Sequence, residues 1–164
     1  MKKITIGIVD YGFGNISSLY GCLMSLGFSV NVSSKKSVLK KSDILFLPGV
    51  GAFEEGMNSL NANGISDIIR RRVRKEGVPI LGICLGMQLL ADESFEHGQH
   101  AGLRLLPGQV NRLVSESLDD RIPNIGWNKT IPVKESVLFD NLNHSNSFYF
   151  VHSYYFSAEL SSDV

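Results

Sequence analysis

The chain carries no net charge: 16 lysines and arginines stand against 16 aspartates and glutamates. No global field therefore draws it to nucleic acid or to an anionic membrane. Cysteine is scarce, with two in 164 residues. Two cysteines in unlike settings do not make a disulfide framework, which fits a reducing cytoplasm. Long apolar runs are missing as well. Residues 4–9 are apolar but too few for a secretory signal, and Asp10 stops them. No stretch approaches membrane-spanning length. Repeats, linkers and low-complexity segments are absent, and the length suits a single domain, 1–164, with a real core.

What is present centres on Cys84, in Gly82-Ile83-Cys84-Leu85-Gly86 directly after the apolar Val78-Pro79-Ile80-Leu81. A strand that meets a helix at a Gly-x-nucleophile-x-Gly turn holds the nucleophile on a sharp, exposed bend. With cysteine this proposes acyl chemistry through a thioester. Met87-Gln88-Leu89-Leu90-Ala91 reads as the first turns of the helix, whose N-terminus would favour the thiolate. The bland alternative is a small buried residue at a strand end. Cys22 takes that alternative: it lies among Leu19, Leu23 and Leu26 at helical spacing and reads as packing.

Periodicity orders the elements. Residues 4–9, 28–32, 44–47 and 78–83 read as strands. Residues 16–26, 53–60 and 65–76 read as helices, the first ended by Gly27. Such alternation is the signature of an α/β fold with a parallel sheet covered on both faces. Its sites lie at the carboxyl ends of strands, which would gather residues 10–15, 48–53 and the Cys84 elbow at one edge. Beyond Ala91, residues 110–114, 148–151 and 154–156 read as strands of appended antiparallel hairpins.

Around this frame, Pro48-Gly49-Val50-Gly51 is a glycine-bracketed turn at a strand end. It could aim the Val50 amide at a developing oxyanion, paired with the amide of Leu85; otherwise it is a simple strand-to-helix turn. Gly12-Phe13-Gly14-Asn15 has part of a dinucleotide fingerprint, without its third glycine or its distal acid. Four histidines could serve as base: His97, His100, His144 and His152. His97 and His100 read as a surface loop without metal-ligand spacing, and His152 ends a strand. Arg70-Arg71-Arg72-Val73-Arg74-Lys75 reads as the solvated face of a helix whose isoleucines turn inward.

These motifs resemble those of the class I (triad) glutamine amidotransferases. Gly82-Ile83-Cys84-Leu85-Gly86-Met87-Gln88 is similar to that family's nucleophile motif. Asp10-Tyr11-Gly12-Phe13-Gly14-Asn15, Leu47-Pro48-Gly49-Val50-Gly51-Ala52-Phe53, Ile122-Pro123-Asn124-Ile125-Gly126-Trp127-Asn128 and Tyr149-Phe150-Val151-His152-Ser153-Tyr154 narrow the likeness to the glutaminase subunits of imidazole glycerol phosphate synthase. The resemblance implies that Cys84 attacks the glutamine side-chain amide, with the oxyanion on the Val50 and Leu85 amides. It implies that Gly49, Gly51, Gln88, Ser153 and Tyr154 hold glutamine. Asn15, Trp127, Asn128 and Tyr149 match positions at the interface with a (β/α)₈-barrel cyclase, which receives the ammonia in a heterodimer of histidine biosynthesis; Trp127 reads as part of a Gly-Trp-Asn turn. No metal or organic cofactor is implied.

Two departures stand out. The family's catalytic His and Glu lie in a Phe-His-Pro-Glu segment that is not within these 164 residues. His152 matches a non-catalytic histidine of the family. The expectation is a domain lacking its base, and a polypeptide of low activity. Asn124 stands where the biosynthetic family usually has histidine. This leans toward paralogues that supply ammonia for amino or amidino sugars; a further alternative is a non-catalytic partner subunit.

Overall fold

A computed structural model of the chain describes residues 3–115, 121–132, 138 and 146–159. His144 lies outside the described residues. The first half runs β1 (Thr5–Val9), α1 (Ile16–Ser25), β2 (Ser29–Ser33), α2 (Lys36–Leu39), β3 (Ile44–Gly49), α3 (Phe53–Ala62), α4 (Ile65–Glu76), β4 (Ile80–Cys84) and α5 (Leu85–Gln88). The four strands pair in parallel, in the order β2-β1-β3-β4. Side chains alternate across a strand, so one face buries Ile6 and Ile8 against Leu23 of α1. The other buries Leu45 and Leu47 against Phe53 and Leu60 of α3 and Ile65 and Ile69 of α4. Each such fully buried side chain contributes about 1.5–3 kcal/mol. Both faces are therefore covered, as the alternation predicts.

The chain then forms β5 (Ala91–Ser94), β6 (His100–Ala101), β7 (Leu106–Arg112), β8 (Asn124–Thr130), β9 (Asn146–His152) and β10 (Tyr154–Ala158). A second sheet has the order β10-β7-β5-β6, in which β5 and β7 are parallel and the other pairs antiparallel. β8 and β9 form a separate antiparallel pair. The antiparallel strands expected beyond Ala91 are present as β7, β9 and β10. β5, β6 and β8 are additional.

Four local expectations are corrected. The helix after Cys84 is a single turn, and Ala91 already belongs to β5. The amides of Leu103 and Leu105 take the carbonyls of Leu89 and Leu90, at 2.8 Å each, so those carbonyls are unavailable to a further helical turn. Cys22 is exposed, because α1 buries only Leu23 fully and Cys22 lies beside that stripe. Trp127 is not in a turn but in mid-β8, where pairing with Tyr149 outweighs the turn-like Asn and Gly around it.

The arginine cluster is the fourth. Arg70 donates to the carbonyls of Leu103 (3.2 Å) and Gly102 (3.3 Å). Arg72 reaches the carbonyl of Ser42 and Arg74 that of Arg104. Guanidinium forks on α4 thus satisfy loop carbonyls that secondary structure leaves open. Arg71, which pairs with Glu76, and Lys75 are exposed and fit the solvated reading; Arg74 is exposed too, while reaching its carbonyl.

Candidate active site

Cys84 ends β4 with φ +54° and ψ −119°. A non-glycine residue in that region costs about 1–3 kcal/mol and is held there only by its surroundings. The two flanking glycines supply the hold. A Cβ on Gly86 would overlap the Leu47 carbonyl oxygen, and one on Gly82 would overlap the Met87 backbone. The strand and the one-turn helix can approach this closely only without those side chains. Cys84 is left exposed at the bend.

Strand register brings the other loops to it. Gly49, at the end of β3, stands opposite Cys84, which sets the 48–51 turn beside the elbow. Val50 and Leu85, the residues that follow this pair, both line the cavity beside the sulfur. The loop after β1 packs along the same turn: Gly14 meets Pro48 and Phe13 meets Gly51. That contact accounts for Gly14, whereas Gly12 meets nothing and is favoured by its φ of +87°.

A cavity of about 700 Å³ opens over Cys84. Val50, Gly51, Leu85, Gln88, Ser153 and Tyr154 are among the residues that line it, and Gly49, next to Val50, is buried and not part of the lining. The Tyr154 carbonyl accepts from Gln88 Nε2 at 3.1 Å and sits 3.0 Å from His152 Nδ1. His152 Nε2 is 3.1 Å from Asn124 Nδ2. A carbonyl accepts and an amide nitrogen donates, so the ring has its proton on Nδ1 and both nitrogens are engaged. His152 lines the cavity with both ring nitrogens engaged by Asn124 and Tyr154. No described side chain hydrogen-bonds the Cys84 sulfur.

Sequence reasoning missed two charged residues on the cavity wall, Glu96 and Arg112, and set a third wall residue, His97, on a surface loop. Glu96 accepts from the Phe53 amide at 2.8 Å, at the N-terminus of α3. His97 faces the Tyr154 ring at 6.2 Å. His97 was read as surface loop, and Arg112 arrives through β7; neither carries a local motif. Tyr11, also missed, lies outside the cavity lining: it is buried, and its hydroxyl has no partner among the described residues. Burial, and secondarily the charge of Cys84, push its phenol well above the ordinary tyrosine range.

Of the residues matched to a partner interface, two lie together. Trp127 and Tyr149 pair across β8 and β9 with ring centroids 5.7 Å apart, edge to face. Trp127 is 73 % exposed. Asn128, the next residue, points to the other face, where it donates to Asn124 at 2.9 Å. Asn15 is exposed at the start of α1, in the first sheet. Among the described residues no cluster could hold a metal, and no helix is long and apolar enough to cross a membrane.

Comparison with known proteins agrees with this geometry. The family model for glutamine amidotransferase class-I matches residues 7–164. The imidazole glycerol phosphate synthase subunit HisH of Chlorobaculum tepidum is 47% identical over 148 residues, covering 90% of this chain and 72% of that protein. The same subunit of Aquifex aeolicus is 45% identical over 148 residues, covering 90% and 70%. A crystal structure of a glutamine amidotransferase superposes with a TM-score of 0.69 at 23% identity, over 92% of this chain and 72% of that one, a likeness of fold. The strained cysteine and its glycine-gated elbow are thus read in the setting of close relatives: the chain belongs to the class I glutamine amidotransferases and, within them, to the HisH subunits of imidazole glycerol phosphate synthase.

Proposed function

We propose that this chain binds glutamine over Cys84 and releases its amide nitrogen as ammonia for a (β/α)₈-barrel cyclase in the cytoplasm. The observation that carries the reading is the positive φ of Cys84, exposed at the wall of a cavity that Val50 and Leu85 also line. The sulfur would attack the side-chain amide carbon, and the two amides would stabilise the oxyanion. Collapse expels ammonia and leaves a γ-glutamyl thioester, which water hydrolyses to glutamate. Gly49, Gly51, Gln88, Ser153 and Tyr154 shape the pocket around the side chain. Glu96 and Arg112 place one negative and one positive group on the same wall, suited to an amino acid's ammonium and carboxylate.

The base would be the His and Glu of the family's Phe-His-Pro-Glu segment, because His152 is engaged on both nitrogens. Trp127 and Tyr149 suit the cyclase interface: paired, aromatic and exposed. Asn15 and Asn128 would join it from other faces. The histidine-pathway reading is preferred over the sugar paralogue, since the curated relatives that match are named HisH subunits.

The test is protection. Alkylation of Cys84 by iodoacetamide should slow in the presence of L-glutamine and be unaffected by D-glutamine. An alkylation rate indifferent to L-glutamine at saturating levels would overturn the reading.

A further inference from the structure

Tyr11 has a hydroxyl that stability does not explain. The side chain is 3% exposed, and its Oη has no partner among the described residues. A buried hydroxyl left unpaired costs about 1–3 kcal/mol, and phenylalanine would fill the same space without that cost. The ring is held firmly: it stacks on Phe13 at 5.7 Å, and its backbone carbonyl accepts from Ser59 Oγ at 2.5 Å. The hydroxyl lies against Gly49, so that a Cβ there would overlap it. The same point is 2.7 Å from the Gly86 amide nitrogen and 3.0 Å from Leu85 Cβ. Gly49 is also the residue opposite Cys84. The hydroxyl therefore lies against Gly49 on the side where a Cβ of Gly49 would also meet the elbow, outside the cavity lining.

We propose that Tyr11 is a positioning residue: its hydroxyl wedges behind Gly49 and sets the spacing between the Val50 and Leu85 amides on which a shared oxyanion depends. The inference rests on the glutaminase reading above. Donors of an oxyanion hole act only when both reach one oxygen, and small displacements are costly. The phenol stays neutral beside Cys84, since burial and the cysteine's charge both oppose its ionisation. It therefore adds no negative charge to the site.

The test compares two electrophiles on wild type and Tyr11→Phe. A chloroketone analogue of glutamine needs the oxyanion donors, whereas iodoacetamide needs only the sulfur. Tyr11→Phe keeps the ring stack and the Ser59 bond, which is to backbone, so its melting temperature should match wild type. The chloroketone rate at Cys84 should fall about ten-fold in the variant while the iodoacetamide rate holds. An unchanged chloroketone rate would overturn the proposal alone. Both rates falling together would also overturn it, by assigning the hydroxyl to the fold or to the sulfur. If the chloroketone fails to label wild-type Cys84, the glutaminase reading falls, and this proposal with it.

Discussion

Gly49 stands directly opposite Cys84 in the register of β3 and β4. The two are 35 positions apart in the chain, yet parallel pairing puts the turn that follows one beside the elbow that follows the other. Neither glycine turn makes the site alone. The pairing does, by bringing the amides of Val50 and Leu85 to one rim of the cavity.

Gly86→Ala should be severely destabilising. The added Cβ would meet the Leu47 carbonyl oxygen, a backbone atom held in the centre of the sheet. Overpacking against backbone costs about 1–3 kcal/mol, and relief here would require prising β3 from α5. Denaturant melts should show that loss. A variant with unchanged stability would mean the elbow is looser than described.

Trp127→Ala should leave the fold nearly intact and weaken the cyclase complex. The ring is 73% exposed and loses only its edge contact with Tyr149, worth about 0.5–1.5 kcal/mol. An interface anchor of this kind typically carries about 2 kcal/mol or more of binding. Calorimetric titration against a (β/α)₈-barrel cyclase checks it. Equal affinity for wild type and variant would remove β8 from the interface.

Tyr11 predicts an alkaline weakness. Its folded pKa lies above the ordinary tyrosine value of 10.0, so above that pH the folded state holds a proton that the unfolded state releases. Its contribution is complete below pH 10.0 and is lost as pH rises through the folded value. Urea melts at mildly and strongly alkaline pH should show wild type losing more stability than Tyr11→Phe. Parallel losses in the two proteins would contradict a buried, proton-holding phenol.

The parts of the site that were legible in the sequence are those in which one short segment makes its own geometry. Gly82, Cys84 and Gly86 act on each other through a single bend, and Gly49 and Gly51 bracket a single turn. Tyr11, Glu96 and Arg112 come from three separate elements and meet the site only through the packing of the two sheets, which no local spacing encodes. The length of α5 failed for the same reason: distant amides from Leu103 and Leu105 take the carbonyls of Leu89 and Leu90. Helical periodicity placed Cys22 near a buried stripe but could not say how wide α1's covered face is. Arginines 70, 72 and 74 read as solvated because their carbonyl partners lie about 30 residues away.

The central claim is that Cys84, and not exposed Cys22, is the nucleophile of a glutamine site. Both thiols reach solvent, so general reactivity does not separate them, and a substrate-shaped reagent must. The protein is treated with a chloroketone analogue of glutamine and the modified peptides are mapped by mass spectrometry, with and without L-glutamine. The account predicts one equivalent of label at Cys84, slowed by L-glutamine, with Cys22 unmodified. Equal labelling of the two cysteines, or labelling of Cys84 that L-glutamine does not slow, would contradict it.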